Sequence, residues 1–97
     1  MNLDLSLTND ALYAGAEIRV LAGKPTLLTP PEEAIAVMAA NLVKMDREGL
    51  IDREEVTLTG GIAIWAYLVV FHFLHGKTKR IYYESGRGER ILVAAHG

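Results

Sequence analysis

The chain has 97 residues, of which 51% are hydrophobic and 23% charged, with a formal net charge of −2. That balance fits one globular domain with a single core and excludes a disordered chain. The absence of cysteine excludes disulfides, thiolate catalysis and the commonest structural zinc sites, and the mild acidity argues against general binding of long nucleic acid, which rewards many phosphate contacts.

The charge is unevenly spread. Residues 1–76 carry −5 and residues 77–97 carry +3, which together give the net −2. The basic end consists of Lys77, Lys79, Arg80, Arg87 and Arg90 against Glu84 and Glu89. Such a cluster suits a small anionic ligand or one short stretch of phosphates, and equally a solvated hairpin. The opening "MNLDLSLTND" has neither the basic start nor the apolar block of a secretory signal. The apolar run from Ile62 to Leu74 is shorter than the roughly 20 residues that cross a bilayer, and His72 interrupts it. The expectation is a cytoplasmic protein without a membrane partner.

In chain order, "LDLSLT" alternates strictly and puts Leu3, Leu5 and Leu7 on one face, the pattern of a half-buried strand. "NDALYAG" supplies turn residues, and "AEIRVL" reads as a second strand, the hairpin partner of the first. "GKPTLLTPP" breaks regular structure. Thr29 before Pro30 resembles an N-cap with proline at the first helical position, and Glu32 and Glu33 follow where the helix dipole favours negative charge. The spacing of Ile35, Met38, Leu42 and Met45 predicts an amphipathic helix from about Pro30 to Glu48, stopped by Gly49. Its methionines read as core filler.

"VTLTGG" is then a short strand ending in a glycine pair. "IAIWAYLVVFHFLH" predicts a second helix from about Ile62 to His75, stopped by Gly76. "RIYYES" and "RILVAA" are strands joined by the turn "GRG". The resulting order, β-β-α-β-α-β-β, is an α+β two-layer sandwich with a mixed sheet, one domain over residues 1–97. The unit around the second helix is expected to be a right-handed parallel crossover.

The second helix is apolar nearly all round, so it should be buried on more than one side. Sheet on one side and a second subunit on the other would cover it, which predicts a symmetric dimer; burial within one chain is the alternative. At its start, Gly60 and Gly61 close a strand where free backbone N–H groups favour an anion, although paired glycines also serve plain turns. At its end, His72 and His75 share one face, but no carboxylate on the helix completes a metal site. His72 is expected in the interior or an interface. His75 beside "KTKR" has the placement of a general acid or base acting on a phosphodiester, or simply of a helix cap.

Taken together, "TGG-IAIW", the helix ending in His75, and "IYYES-GRG-ERILVAAH" resemble the third family of CRISPR ring nucleases, small proteins of type III CRISPR antiviral defence. The resemblance covers about residues 54–96. It implies a ferredoxin-like dimer that cleaves cyclic tetraadenylate, with two dimers forming a tetramer around the ligand; short RNA is the other candidate ligand. It implies catalytic roles for His75, Glu84, which stands where the family usually has aspartate, and Arg87. It places His96 among the ligand-binding residues, beside Gly60, Gly61, Lys77, Lys79 and Arg80. Mn²⁺ is the one cofactor implied, with Glu84 able to help hold it or to orient a histidine or arginine of a facing subunit. The ribose 2′-hydroxyl is an internal nucleophile, so the protein need only align it, manage protons and stabilise the phosphorane. The rival readings are a non-catalytic module that sequesters a cyclic oligonucleotide and a purely structural dimer.

Overall fold

The computed structural model describes residues 1–96. They form a four-stranded mixed sheet, a separate two-stranded hairpin and three helices. In chain order the elements are β1 (Asn2–Asp4), α1 (Asp10–Tyr13), β2 (Ile18–Leu21), β3 (Lys24–Leu27), α2 (Pro31–Arg47), β4 (Glu55–Thr59), α3 (Ile64–Leu74), β5 (Arg80–Glu84) and β6 (Arg90–Ala95).

The alternating first segment is a strand for only three residues, because its polar side chains turn the chain. Asp4 Oδ1 accepts from Ser6 N at 2.8 Å, Asn9 Nδ2 donates to Asp4 O at 2.6 Å, and Asn9 Oδ1 accepts from Leu12 N at 3.2 Å to cap α1. These are the side-chain-to-backbone bonds by which Asp and Asn favour turns and caps over strands. Leu5 and Leu12 are fully buried, and the Tyr13 hydroxyl donates to Leu5 O at 2.5 Å. Burial, then the Asp4 carboxylate, push the Tyr13 hydroxyl up to about 12.

The expected order β-β-α-β-α-β-β is corrected here. β1 does not pair with β2. It lies parallel to β4, with Leu3 opposite Leu58. β2 instead pairs forward with β3, whose residues were read as a break. The reason is the two-residue turn Ala22–Gly23, with φ values of 50° and 78°, the left-handed pair that matches strand twist in a tight hairpin. Pro25 is tolerated because a two-stranded ribbon has free edges. The hairpin is an arm whose outer part carries Val20, 71% exposed.

Helix α2 starts at Pro31, not Pro30, and Thr29 does not cap it; its hydroxyl accepts from Glu17 N at 2.8 Å and ties down the base of the arm. The C-terminus is a Schellman motif at Gly49 (φ 73°), with Gly49 N donating to Asp46 O and Leu50 N to Met45 O. Met38, Leu42 and Met45 are buried as the spacing requires, but Ala34 leads the stripe and Ile35 is part exposed.

The sheet order is β1-β4-β5-β6, with β1, β4 and β5 parallel and β6 antiparallel to β5. Both crossovers step the same way across the sheet, so α2 and α3 pack side by side on one face. Leu3, Val56, Leu58 and Ile81 meet Met38, Leu42, Ala66, Val70 and Leu74 there. The opposite face carries Glu55, Thr57, Tyr82 and Arg90 by register. Arg80 and Arg90 both pair with Glu55, and the Arg90 guanidinium lies 3.6 Å over the Tyr82 ring. No helix among the described residues is long and apolar enough to cross a membrane.

Candidate functional site

Helix α3 begins at Ile64, two residues later than expected, with Ala63 at its N-cap and no side chain capping it. It presents Ala66, Val70 and Leu74 to the core. Its other apolar side is not covered within the chain: Ile64 is 79% exposed and Leu68 63%. The two ends of this helix divide the sequence-predicted residues into two groups.

The first group lies at the carboxyl ends of β4 and β5. Gly60 has φ 107°, and a Cβ there would sit 2.3 Å from Asp4 Oδ1 and 2.8 Å from Ser6 N. Its identity is therefore required by the close approach of β1 to β4. The Tyr67 hydroxyl donates to Gly60 O. Burial, then Tyr83 and Asp4, push that hydroxyl above its ordinary value. A Cβ at Gly61 would meet nothing within 4 Å. The pair opens on a cleft of 590 Å³ lined by Ile62, Ile64, Tyr67, Phe71, Tyr83 and Val93 among others. Its wall is almost wholly apolar. Glu84 ends β5 opposite Arg90, and Arg87 stands in the following turn, where its backbone N–H donates to Ser85 Oγ at 3.3 Å.

The second group lies at the other end of α3. The chain leaves the helix at His75, turns at Gly76 (φ 89°) and enters β5. Thr78, 1% exposed, fixes this connection: its hydroxyl donates to Asp52 O at 2.8 Å and its N–H to Leu74 O at 3.0 Å. His96 follows the last strand and is held by its N–H on Lys79 O. The topology thereby brings His75 and His96 together, edge to face with ring centroids 4.6 Å apart. Phe71, one turn back on α3, lies 5.8 Å from the His75 ring on a tilted plane.

The basic residues around this pair differ in their freedom. Lys79 pairs with Glu54 at 3.2 Å, and Arg80 with Glu55 at 3.4 Å on the opposite face of the sheet. Lys77 forms no ion pair among the described residues; its Nζ lies 4.4 Å over the Phe73 ring. His72, expected in the interior or an interface, is exposed in this chain and lines a shallow groove between α2 and α3.

The structure thus joins His75 and His96, with the Lys79 backbone holding His96, at one end, sends the Lys77 side chain to Phe73 in the groove that His72 also lines, and keeps Gly60, Gly61, Glu84 and Arg87 at the other end. The two groups are separated by the length of β5, about 13 Å for four strand steps. Glu84 is therefore remote from both histidines in one chain. No group of three His, Asp or Glu side chains among the described residues could hold a metal ion. The described residues of one chain therefore do not gather a donor set for Mn²⁺. Reading the sequence missed Thr78 and Phe71. Phe71 was legible as the i−4 neighbour of His75; Thr78 had no signal beyond being the one uncharged residue inside "KTKR". No protein-family model, curated protein or solved structure matches the chain.

Proposed function

We propose that the protein is a cytoplasmic phosphodiesterase of type III CRISPR defence that opens cyclic tetraadenylate and works as a dimer or a tetramer around its ligand. The observation that supports this reading best is the His75–His96 pair, assembled from two elements distant in sequence. An exposed imidazole with its ring orientation limited by Phe71 and His96 is suited to proton transfer.

In the proposed reaction the ribose 2′-oxygen attacks the adjacent phosphorus and the P–O5′ bond breaks. The products are a 2′,3′-cyclic phosphate and a 5′-hydroxyl. His75 accepts the 2′-hydroxyl proton or delivers one to the leaving oxygen. Lys77 and the planar fork of Arg87 are suited to the phosphorane charge. Glu84 orients Arg87 or a histidine. Since Arg87 and Glu84 lie at the far end of β5, they serve a His75 that belongs to another copy. The ferredoxin-like dimer belongs to the same proposal. Two helices on one face of a four-stranded sheet support its layer plan, and the parallel β1–β4 pair is a departure in strand order.

The test is incubation with cyclic tetraadenylate, with and without Mn²⁺, and separation of products by chromatography. Linear diadenylate or tetraadenylate is the expected result. Tight binding without turnover would identify a sequestering module instead, and neither binding nor turnover would leave only a structural role.

A further inference from the structure

Two imidazoles stand together at the end of the sheet where β5 begins and β6 finishes. The backbone fixes where each side chain starts. His75 follows α3 with its N–H on Phe71 O at 2.9 Å, and His96 follows β6 with its N–H on Lys79 O at 2.6 Å. The buried Thr78 hydroxyl, on Asp52 O, locks the turn from α3 into β5. The ring centres are 4.6 Å apart and the planes cross at 76°. Both residues are exposed. No carboxylate joins the two rings among the described residues. The lysines that flank this turn make their contacts elsewhere, Lys77 over Phe73 and Lys79 with Glu54.

This separation suits two ligands on one ion. An imidazole nitrogen binds a transition metal at about 2.0–2.1 Å, so two rings that share an ion at a right or a tetrahedral angle have centres about 4.5–5.2 Å apart. The pair falls at the right-angled end of that range, which suits the square or tetragonal sites of Cu²⁺ better than tetrahedral Zn²⁺. To aim a nitrogen at the ion, each ring need only turn about Cβ–Cγ, a broad torsion in histidine. That turn hardly moves the ring centre, and both rings are exposed. Water fills the remaining positions on the ion. The donor set also selects. Imidazole suits Cu²⁺, Zn²⁺ and Ni²⁺, whereas Mn²⁺ and Mg²⁺ seek carboxylate and carbonyl oxygen. Affinity for a given site also rises from Mn²⁺ to Cu²⁺.

We infer that His75 and His96 of one chain bind a single imidazole-seeking divalent ion, Cu²⁺ before Zn²⁺, and that the bound ion stops the proton transfer assigned to His75. A neutral imidazole has one acceptor nitrogen. An ion seated there leaves no lone pair to take the 2′-hydroxyl proton, and it excludes the imidazolium that would deliver one. The metal site stands on the two rings alone. Its effect on cleavage rests on the function proposed above.

The probe is Cu²⁺ alone, titrated into the whole chain and followed by electron paramagnetic resonance. One ion per chain is expected, and pulsed spectra should show two coordinated imidazoles. Loss of even an outer-shell partner costs a metal site about 10–100-fold in affinity. His75→Ala and His96→Ala, both at exposed positions, should therefore each weaken binding at least about tenfold. His72→Ala, in the groove between α2 and α3, should bind as the wild type does. Mn²⁺ in about tenfold excess should displace little Cu²⁺. Half an ion per chain, the mark of an ion shared between copies, overturns the site. So does binding that survives in either His75→Ala or His96→Ala, or that is lost in His72→Ala. For the second half, Cu²⁺ at a level that fills the site should slow cleavage of cyclic tetraadenylate about a hundredfold, the scale of losing a general acid or base. Dialysis against a chelator should restore it. Full activity with the site filled overturns the block. A wild type that cleaves nothing, with or without Mn²⁺, overturns the phosphodiesterase reading and the block that rests on it, while the Cu²⁺ spectra still decide the site.

Discussion

At the N-terminal end of α3, Gly60 is pressed against β1, Tyr67 closes on its carbonyl, and the surface beyond is an apolar cleft. At the C-terminal end, a buried threonine and a short backbone network present two imidazoles to solvent. Both ends looked like anion sites in the sequence. The difference teaches that a glycine pair after a strand reports first on how closely two strands approach, whereas two histidines brought together from residues 75 and 96 have no such packing duty. Both rings sit on exposed residues, so stability gives little reason for them.

The largest effect that separates the two ends should come from His75→Ala. Removal of a general acid or base typically costs 10²–10⁴-fold in rate, so initial rates on cyclic tetraadenylate should fall at least about a hundredfold with the melting temperature nearly unchanged. An unchanged rate would take the chemistry away from this end. Gly60→Ala should act in the opposite sense, on folding. A Cβ meets both a carboxylate oxygen and backbone at a positive φ, so about 3 kcal/mol of stability should be lost in urea titration. Gly61→Ala should cost less than about 0.5 kcal/mol. Equal losses at the two glycines would undo the assignment of Gly60 to packing.

Thr78→Val sharpens the comparison from the other side. It leaves Asp52 O without its donor, a loss of about 1–2 kcal/mol, and loosens the turn that positions His75. Activity should therefore fall by more than the loss of folded protein explains, which an activity assay well below the melting temperature would detect. The smallest effect belongs to the sheet face remote from both ends. Hydrogen bonding from Arg90, then from Arg80, holds the Glu55 carboxyl below its ordinary value of 4.5. A carboxyl lowered in the folded state stabilises the protein above pH 4.5 and loses that contribution as the pH falls below it. Glu55→Gln should lower the melting temperature slightly at pH 7, and the difference from wild type should close as the pH falls below 4.5. A difference that persists at low pH would assign the effect to packing.

The second half of the fold was legible because its signals are local. The β5–β6 hairpin and the bodies of α2 and α3 follow from period and turn chemistry within a few residues. The first half was not, because its decisive contacts are remote. Leu3, Leu5 and Leu7 alternate as a strand should, yet nothing near them says that the partner is β4, more than fifty positions on. Thr29 looked like a cap because its other use, accepting from Glu17 N, depends on the arm folding first. Of the site, residue types and the nearness of His75 to basic charge could be read. The pairing of His75 with His96 could not, since it needs the register of β6 on β5.

The parallel seat of β1 on β4 also sets an order of events in synthesis. Residues 2–4 leave the ribosome well before their partner and have no ladder to join until Thr59 has been made. At about 5–20 residues per second, the first strand waits roughly 3–11 s. During that interval α2 and the arm can form from local contacts, while β1 stays free beside a growing apolar helix. The first strand made is therefore not the first to be paired, and β1, three residues long at the edge of the sheet, is expected to be the first to exchange its amide hydrogens.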